Sequence, residues 1–190
     1  MVAIVSGNRS FCGGTLVASK YVISASHCFM TYINNTQIII GPIDPSEVRV
    51  RIGDHNLNIA GETFFPEKTV GVVRLTHHPC YVTSFGAKGA QPWDLTVVEL
   101  AETLDLDTYT PACMAKNTDT TTFDGKTATV AGWGLIAEGG SLPDPWVPQE
   151  VNLPVLPASQ CPGLGGSPAD ICAGGEEGKG SCQVKLSFSF

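Results

Sequence analysis

Ser24-Ala25-Ser26-His27-Cys28 follows an apolar, strand-like run, Tyr21-Val22-Ile23, and lies downstream of Phe11-Cys12-Gly13-Gly14-Thr15-Leu16. The histidine sits next to one cysteine, and a second cysteine lies sixteen positions before that one. This suggests an imidazole pinned beside a disulfide at the end of a strand. Stiff placement of this kind is what a general base needs. A single histidine is more often structural, so the neighbouring motifs decide its reading.

The composition narrows the field. A chain of 190 residues forms one large domain or two small ones. With 43% hydrophobic residues, 21 Gly and 13 Pro, its short apolar runs between turn residues fit an all-β protein. No apolar run is long enough to span a membrane as a helix. A net charge of −7 argues against a nucleic-acid partner, because phosphate-binding surfaces need clustered Lys and Arg. Seven cysteines and two Asn-x-Ser/Thr sequons, at Asn8 and Asn34, point to glycosylation and an oxidising, extracellular setting. Met1-Val2-Ala3-Ile4-Val5 is too short an apolar run for a signal peptide. Met1 is therefore expected not to be the natural start, unless the chain lacks an export signal.

Three further stretches stand in order behind the histidine. They are Asp94-Leu95-Thr96-Val97-Val98-Glu99-Leu100, then Gly132-Trp133-Gly134, then Ile171-Cys172-Ala173-Gly174 with Gly180-Ser181-Cys182-Gln183. Together with the Cys12 and His27 segments they resemble the chymotrypsin-like serine proteases, and they cover nearly the whole chain. The resemblance implies an all-β fold, a chymotrypsin-like double β-barrel with the active site between the barrels. It implies serine endopeptidase chemistry on protein or peptide substrates, with protein protease inhibitors as further partners and no cofactor. His27 is then the general base, and Asp94 the acid that orients it. Gly180 and Ser181 match the base of the substrate pocket, and Gly180 stands where trypsin-like members carry an aspartate. Cys12 with Cys28, and Cys161 with Cys172, match disulfides of the family. Cys182 and Cys113 match cysteines whose usual partners are absent, and Cys80 has no recognised counterpart.

The pattern breaks after Gln183. The family continues Gly-Asp-Ser-Gly-Gly-Pro, and that serine is the nucleophile. Here the chain reads Val184-Lys185-Leu186-Ser187-Phe188-Ser189-Phe190, with Leu186 at the nucleophile's position. Residues 1–105 are expected to form a nearly complete first barrel, and 106–125 a linker. Residues 126–183 supply part of a second barrel, truncated as written, and 184–190 a tail foreign to the family. The expected function is a serine endopeptidase whose chain as given is inactive. The alternative is a non-catalytic homologue that binds without cleaving. Gln183-Val184-Lys185 is also encodable across an exon end, with Val184-Lys185 as read-through of an intron.

Two details complete the reading. The loop from Gly53 to Glu62 resembles the family's calcium loop, with Asp54 and Glu62 as candidate carboxylates, but it is shortened and one acid short. A solvated acidic loop and no metal are expected there. Residues 29–47 read as a long connection, and residues 47–53 as a half-buried strand with Val48, Val50 and Ile52 on one face.

Overall fold

The computed structural model describes residues 1–7, 9–32, 39–62, 66–81, 93–115, 123–135, 140–144, 146–164, 171–175 and 186–189. Its strands are β1 (Val2–Ser6), β2 (Arg9–Ala18), β3 (Tyr21–Ser24), β4 (Met30–Tyr32), β5 (Ile39–Pro42), β6 (Arg49–Ile52), β7 (Lys68–His77), β8 (Thr96–Leu100), β9 (Thr127–Gly132), β10 (Gln149–Leu156), β11 (Cys172–Ala173) and β12 (Leu186–Ser189). The only helical turns among the described residues are short 3-10 segments.

Six strands close a barrel in the order β1-β2-β3-β8-β7-β6, with β6 pairing back onto β1. Closure leaves no free edge and lets alternate residues of each strand face one interior. Val50 and Ile52 of β6, and Thr96, Val98 and Leu100 of β8, are the inward residues. Val2, Ile4, Leu16, Val22, Val70 and Phe29 join them in the core. Each fully buried aliphatic side chain there contributes roughly 1.5–3 kcal/mol of burial. Gly14 makes the close packing possible. A Cβ at this position would stand 2.7 Å from Val22 Cγ1 and 3.1 Å from the Ile23 carbonyl oxygen.

β1 is apolar on both faces for a reason that lies outside the barrel. Val2 and Ile4 face the core, while Ala3 and Val5 pack with Leu57 and Trp133. Trp133, of the Gly-Trp-Gly stretch, donates from Nε1 to the His55 carbonyl at 2.8 Å. Trp146 donates from Nε1 to the Trp133 carbonyl at 2.6 Å, and accepts from the Leu57 N–H through its own carbonyl at 3.1 Å. These contacts bolt the second half of the chain onto the loop after β6.

The second half forms a sheet in the order β11-β10-β9-β12. β12, in the segment that the sequence sets apart as a tail, runs antiparallel to β9 with Ser187 opposite Ala131. The region 29–47 differs from the single connection expected of it. β4 and β5 pair there, and a 3-10 turn at Pro45–Glu47 follows, begun by the Asp44 side chain accepting from Ser46 N–H. Asn34 and Asn35, which the sequence places in that connection, lie outside the described residues.

Candidate active site

Strand register brings the site together. β3 pairs antiparallel with β8, with Ser24 opposite Thr96. His27 lies just beyond the end of β3, in the 3-10 turn Ser26–Phe29, and Asp94 lies just before β8. In an antiparallel pair the end of one strand meets the start of the other, so two residues 67 positions apart become neighbours.

The contact between them is two-pronged. The His27 backbone N–H donates to Asp94 Oδ1 at 2.8 Å, and His27 Nδ1 stands 2.6 Å from Asp94 Oδ2. A carboxylate only accepts, so the proton of this bond sits on Nδ1. The neutral ring then carries its lone pair on Nε2, which lies 3.7 Å from the Cys28 sulfur. The hydrogen bond that His27 donates to Asp94 is the largest influence on the ring and raises its pKa above the ordinary imidazole value. Burial opposes this, and the negative charge of Asp94 adds to it. The His27 side chain is 51% exposed, and Asp94 holds it at Nδ1.

The turn before Asp94 is unusual. Trp93 has φ +62°, in the left-handed region that bulky residues avoid. The Leu95 N–H donates to the Trp93 carbonyl at 2.7 Å, making a three-residue turn centred on Asp94. The Trp93 indole stacks on the His78 ring at 4.7 Å with the planes 8° apart. The His78 N–H donates to the Leu95 carbonyl at 2.9 Å.

Behind the pair lies a polar cluster that motif reading misses. Ser26 and Thr96 are fully buried. Ser26 Oγ donates to the Leu95 carbonyl at 2.8 Å and lies 2.7 Å from Thr96 Oγ1. His77 Nδ1 is 2.7 Å from Thr96 Oγ1. Burial pushes the His77 imidazole below its ordinary pKa, while the charge of Asp94 pulls it upward. The available signal was Thr96 itself, a polar residue on the inward face of β8.

The other candidate residues are placed as follows. Disulfides join Cys12 to Cys28, with Cα atoms 6.2 Å apart, and Cys161 to Cys172, with Cα atoms 5.6 Å apart. Cys80 and Cys113 are free and exposed. Asn8, Asn34, Gly180, Ser181 and Cys182 lie outside the described residues.

The loop from Gly53 to Glu62 is exposed at His55 and from Asn58 to Glu62, but its Asp54 side chain is enclosed. The Asp54 side chain is 1% exposed, and Arg51 Nε stands 2.8 Å from its Oδ2. That contact satisfies charge, while neither Asp54 oxygen has a closely aligned donor among the described residues. The Arg51 Nε–H is directed instead at Glu67, at 3.1 Å. Burial raises the Asp54 pKa, and Arg51 opposes the rise. The Glu62 carboxylate accepts from the Asn56 N–H. Gly53, which opens the loop, has φ +76° and no space for a Cβ, with the Pro66 carbonyl oxygen 2.7 Å away. Among the described residues, one cluster of three potential metal-ligating residues occurs, Cys12, His27 and Cys28. The two cysteines there are disulfide-bonded, so no thiolate is available to a metal.

Comparison with known proteins follows the same lines. A family model described as trypsin matches residues 1–184. Trypsin-2 of Salmo salar is 32% identical over 188 residues, covering 96% of this chain and 68% of that protein. Ovochymase-2 of Mus musculus is 29% identical over 161 residues, 84% of this chain and 23% of the relative. The chain thus spans about a quarter of that relative's length. Among solved structures, mouse neuropsin, a serine protease, superposes with a TM-score of 0.73 at 22% identity, covering 99% of this chain and 75% of that one. Human heparin binding protein gives 0.74 at 22% identity, covering 98% and 73%. At these identities the two structures speak for the fold.

Proposed function

We propose, from the premise that this chain belongs to the trypsin family of serine proteases, that it carries the base and the orienting acid of a serine endopeptidase site. One observation supports this above the rest: Asp94 grips His27 through both oxygens, fixing the ring with Nε2 as the basic nitrogen. In the reaction, His27 Nε2 takes the proton of a serine hydroxyl as its oxygen attacks the scissile carbonyl. It then returns that proton to the leaving amine. Asp94 holds the tautomer and stabilises the imidazolium between the two transfers.

The same reading assigns no turnover to residues 1–190 alone. Acyl transfer needs a nucleophile in reach of His27 and backbone donors aimed at the oxyanion. The sequence after Cys182 has neither the serine nor the glycines of that turn. Pairing of Leu186–Ser189 with β9 gives that segment a regular place in the sheet, which supports the second reading, a homologue that binds a partner without cleaving it. Protein or peptide ligands, and protein inhibitors that mimic them, fit either reading. An extracellular setting is proposed from the two disulfides, which persist where the medium is oxidising.

If a nucleophile segment is supplied, we propose cleavage after apolar or aromatic residues. Gly180 offers no anion to offset the desolvation of a substrate Arg or Lys. The test is to sequence the transcript beyond the Gln183 codon and assay the protein it encodes on peptides ending in Phe, Leu or Arg before the cut bond. Continuation into Gly-Asp-Ser-Gly-Gly with cleavage after Phe or Leu is the expected result. A confirmed stop after Phe190 would leave the binding homologue or a non-functional product, and preferred cleavage after Arg would overturn the specificity.

A further inference from the structure

The His77, Thr96 and Ser26 side chains can be assigned their protons by counting. Ser26 Oγ has one proton and points at the Leu95 carbonyl, 2.8 Å away. Ser26 therefore accepts from Thr96, whose Oγ1 is 2.7 Å away and also has one proton. Thr96 has no proton left for His77, so the 2.7 Å contact to Nδ1 is a bond from Nδ1–H to Thr96 Oγ1. The same Nδ1 stands 3.3 Å from Ser26 Oγ, close enough to share its proton.

The opposite direction is worse on two counts. It forms one hydrogen bond fewer, because Ser26 would turn from the Leu95 carbonyl to Thr96. It also places the His77 ring proton on Nε2, a buried atom with no hydrogen-bond partner among the described residues. A buried N–H without an acceptor is rarer and costlier than an unmet lone pair.

We infer that His77 is a positioning residue, the head of a one-directional relay running from His77 Nδ1–H through Thr96 and Ser26 to the Leu95 carbonyl. The relay ties together the two turns that carry the dyad. Ser26 precedes His27, and Leu95 follows Asp94. The register makes this possible, since Thr96 pairs with His77 across β7 and β8 and with Ser24 across β3 and β8. Around His77, Phe29 and Tyr81 pack their rings, and Asp94 is the charged group whose field reaches it. His77 stays neutral, because a second ring proton would be a buried donor without a partner among the described residues. Its effect on His27 is therefore geometric: it keeps Asp94 at bonding distance.

The inference rests on reading His27 and Asp94 as base and acid, but it is tested by titration and not by turnover, so either can fail alone. On the ¹⁵N-labelled chain, two-bond imidazole correlations at pH 7 should show His77 neutral with its proton on Nδ1. Thr96→Val removes the middle hydroxyl, His77→Leu removes the head, and His77→Asn keeps an amide donor near the Nδ1 position. In Thr96→Val and His77→Leu, the His27 midpoint should fall toward the ordinary imidazole value, and its Nδ1 proton should exchange with water roughly tenfold faster, as expected for losing one supporting hydrogen bond. His77→Asn and Thr96→Ser should restore the wild-type midpoint. A His77 proton on Nε2, a charged His77, or a His27 midpoint unmoved by Thr96→Val and His77→Leu would overturn the inference. The tautomer is read on the unmutated chain, so a variant that fails to fold leaves that outcome decisive.

Discussion

Replacing Asp94 with Asn keeps the shape of the side chain and removes its charge. The amide oxygen can still accept the His27 N–H, which now meets Asp94 Oδ1 at 2.8 Å. The amide nitrogen would then face His27 Nδ1, which must become an acceptor, so the ring proton moves to Nε2. That is the nitrogen that has to be basic. The energetic size follows from the geometry. Unit charges about 4 Å apart interact by about 1 kcal/mol in water and about 4 kcal/mol at an effective dielectric of 20. His27 is 51% exposed and Asp94 25%, so screening puts the pair toward the lower figure, about 1–2 kcal/mol. The direction is sharper than the size. Of the three influences on His27, the two that raise its pKa both come from Asp94, and only burial lowers it. Asp94→Asn should therefore carry the His27 midpoint from above the ordinary imidazole value to below it. Stability follows with a definite sign. A raised folded-state pKa contributes stability that is fully present below the unfolded-state value and is lost as pH rises through the folded-state value. The wild-type chain gains from this at pH 5, and the variant loses. Urea unfolding should show a wild-type advantage about 1–2 kcal/mol larger at pH 5 than at pH 8. An NMR titration with the variant's His27 midpoint still above the ordinary value, or a stability gap independent of pH, would refute this account of the pair.

Other outcomes follow from the packing. Gly14→Ala should destabilise the chain by about 1–3 kcal/mol in denaturant unfolding, because its Cβ would meet Val22 and the Ile23 carbonyl. A change under 0.5 kcal/mol would show that β2 and β3 can part at little cost. Replacing Cys12 and Cys28 together by Ser opens a loop with a sequence separation of 16 and should cost about 3 kcal/mol by loop entropy. Unchanged unfolding would mean that the barrel strands alone fix the His27 turn.

Much of the fold is legible in the sequence because it is carried by local pattern. The alternation of Val48, Val50 and Ile52 marks β6 and its inward face, and all three are buried. Tyr21-Val22-Ile23 marks β3, and the motifs around His27 and Asp94 mark the two ends that the β3–β8 register joins. What escapes is what only register creates. Ser26, Thr96 and His77 lie 70 and 19 positions apart and meet because β3, β8 and β7 are neighbours. Asp54 reads as a surface acid because nothing nearby in the chain announces that Arg51 and the turn at Gly53 will enclose it. The two faces of β1 are both apolar, but only the packing of Trp133 shows what the second face is for.

The central proposal is that His27 and Asp94 are held as base and acid, while Ser187 and Ser189, among the described residues, do not serve them as nucleophile. A fluorophosphonate probe tests it most directly, applied to the purified 190-residue chain beside a His27→Ala control. Ser187 and Ser189 lie in a regular antiparallel ladder with β9, opposite Ala131 and Thr129, and not in the tight turn that a nucleophile needs. The account predicts no labelling of either protein above background. Labelling at Ser187 or Ser189 that disappears in the His27→Ala chain would contradict it.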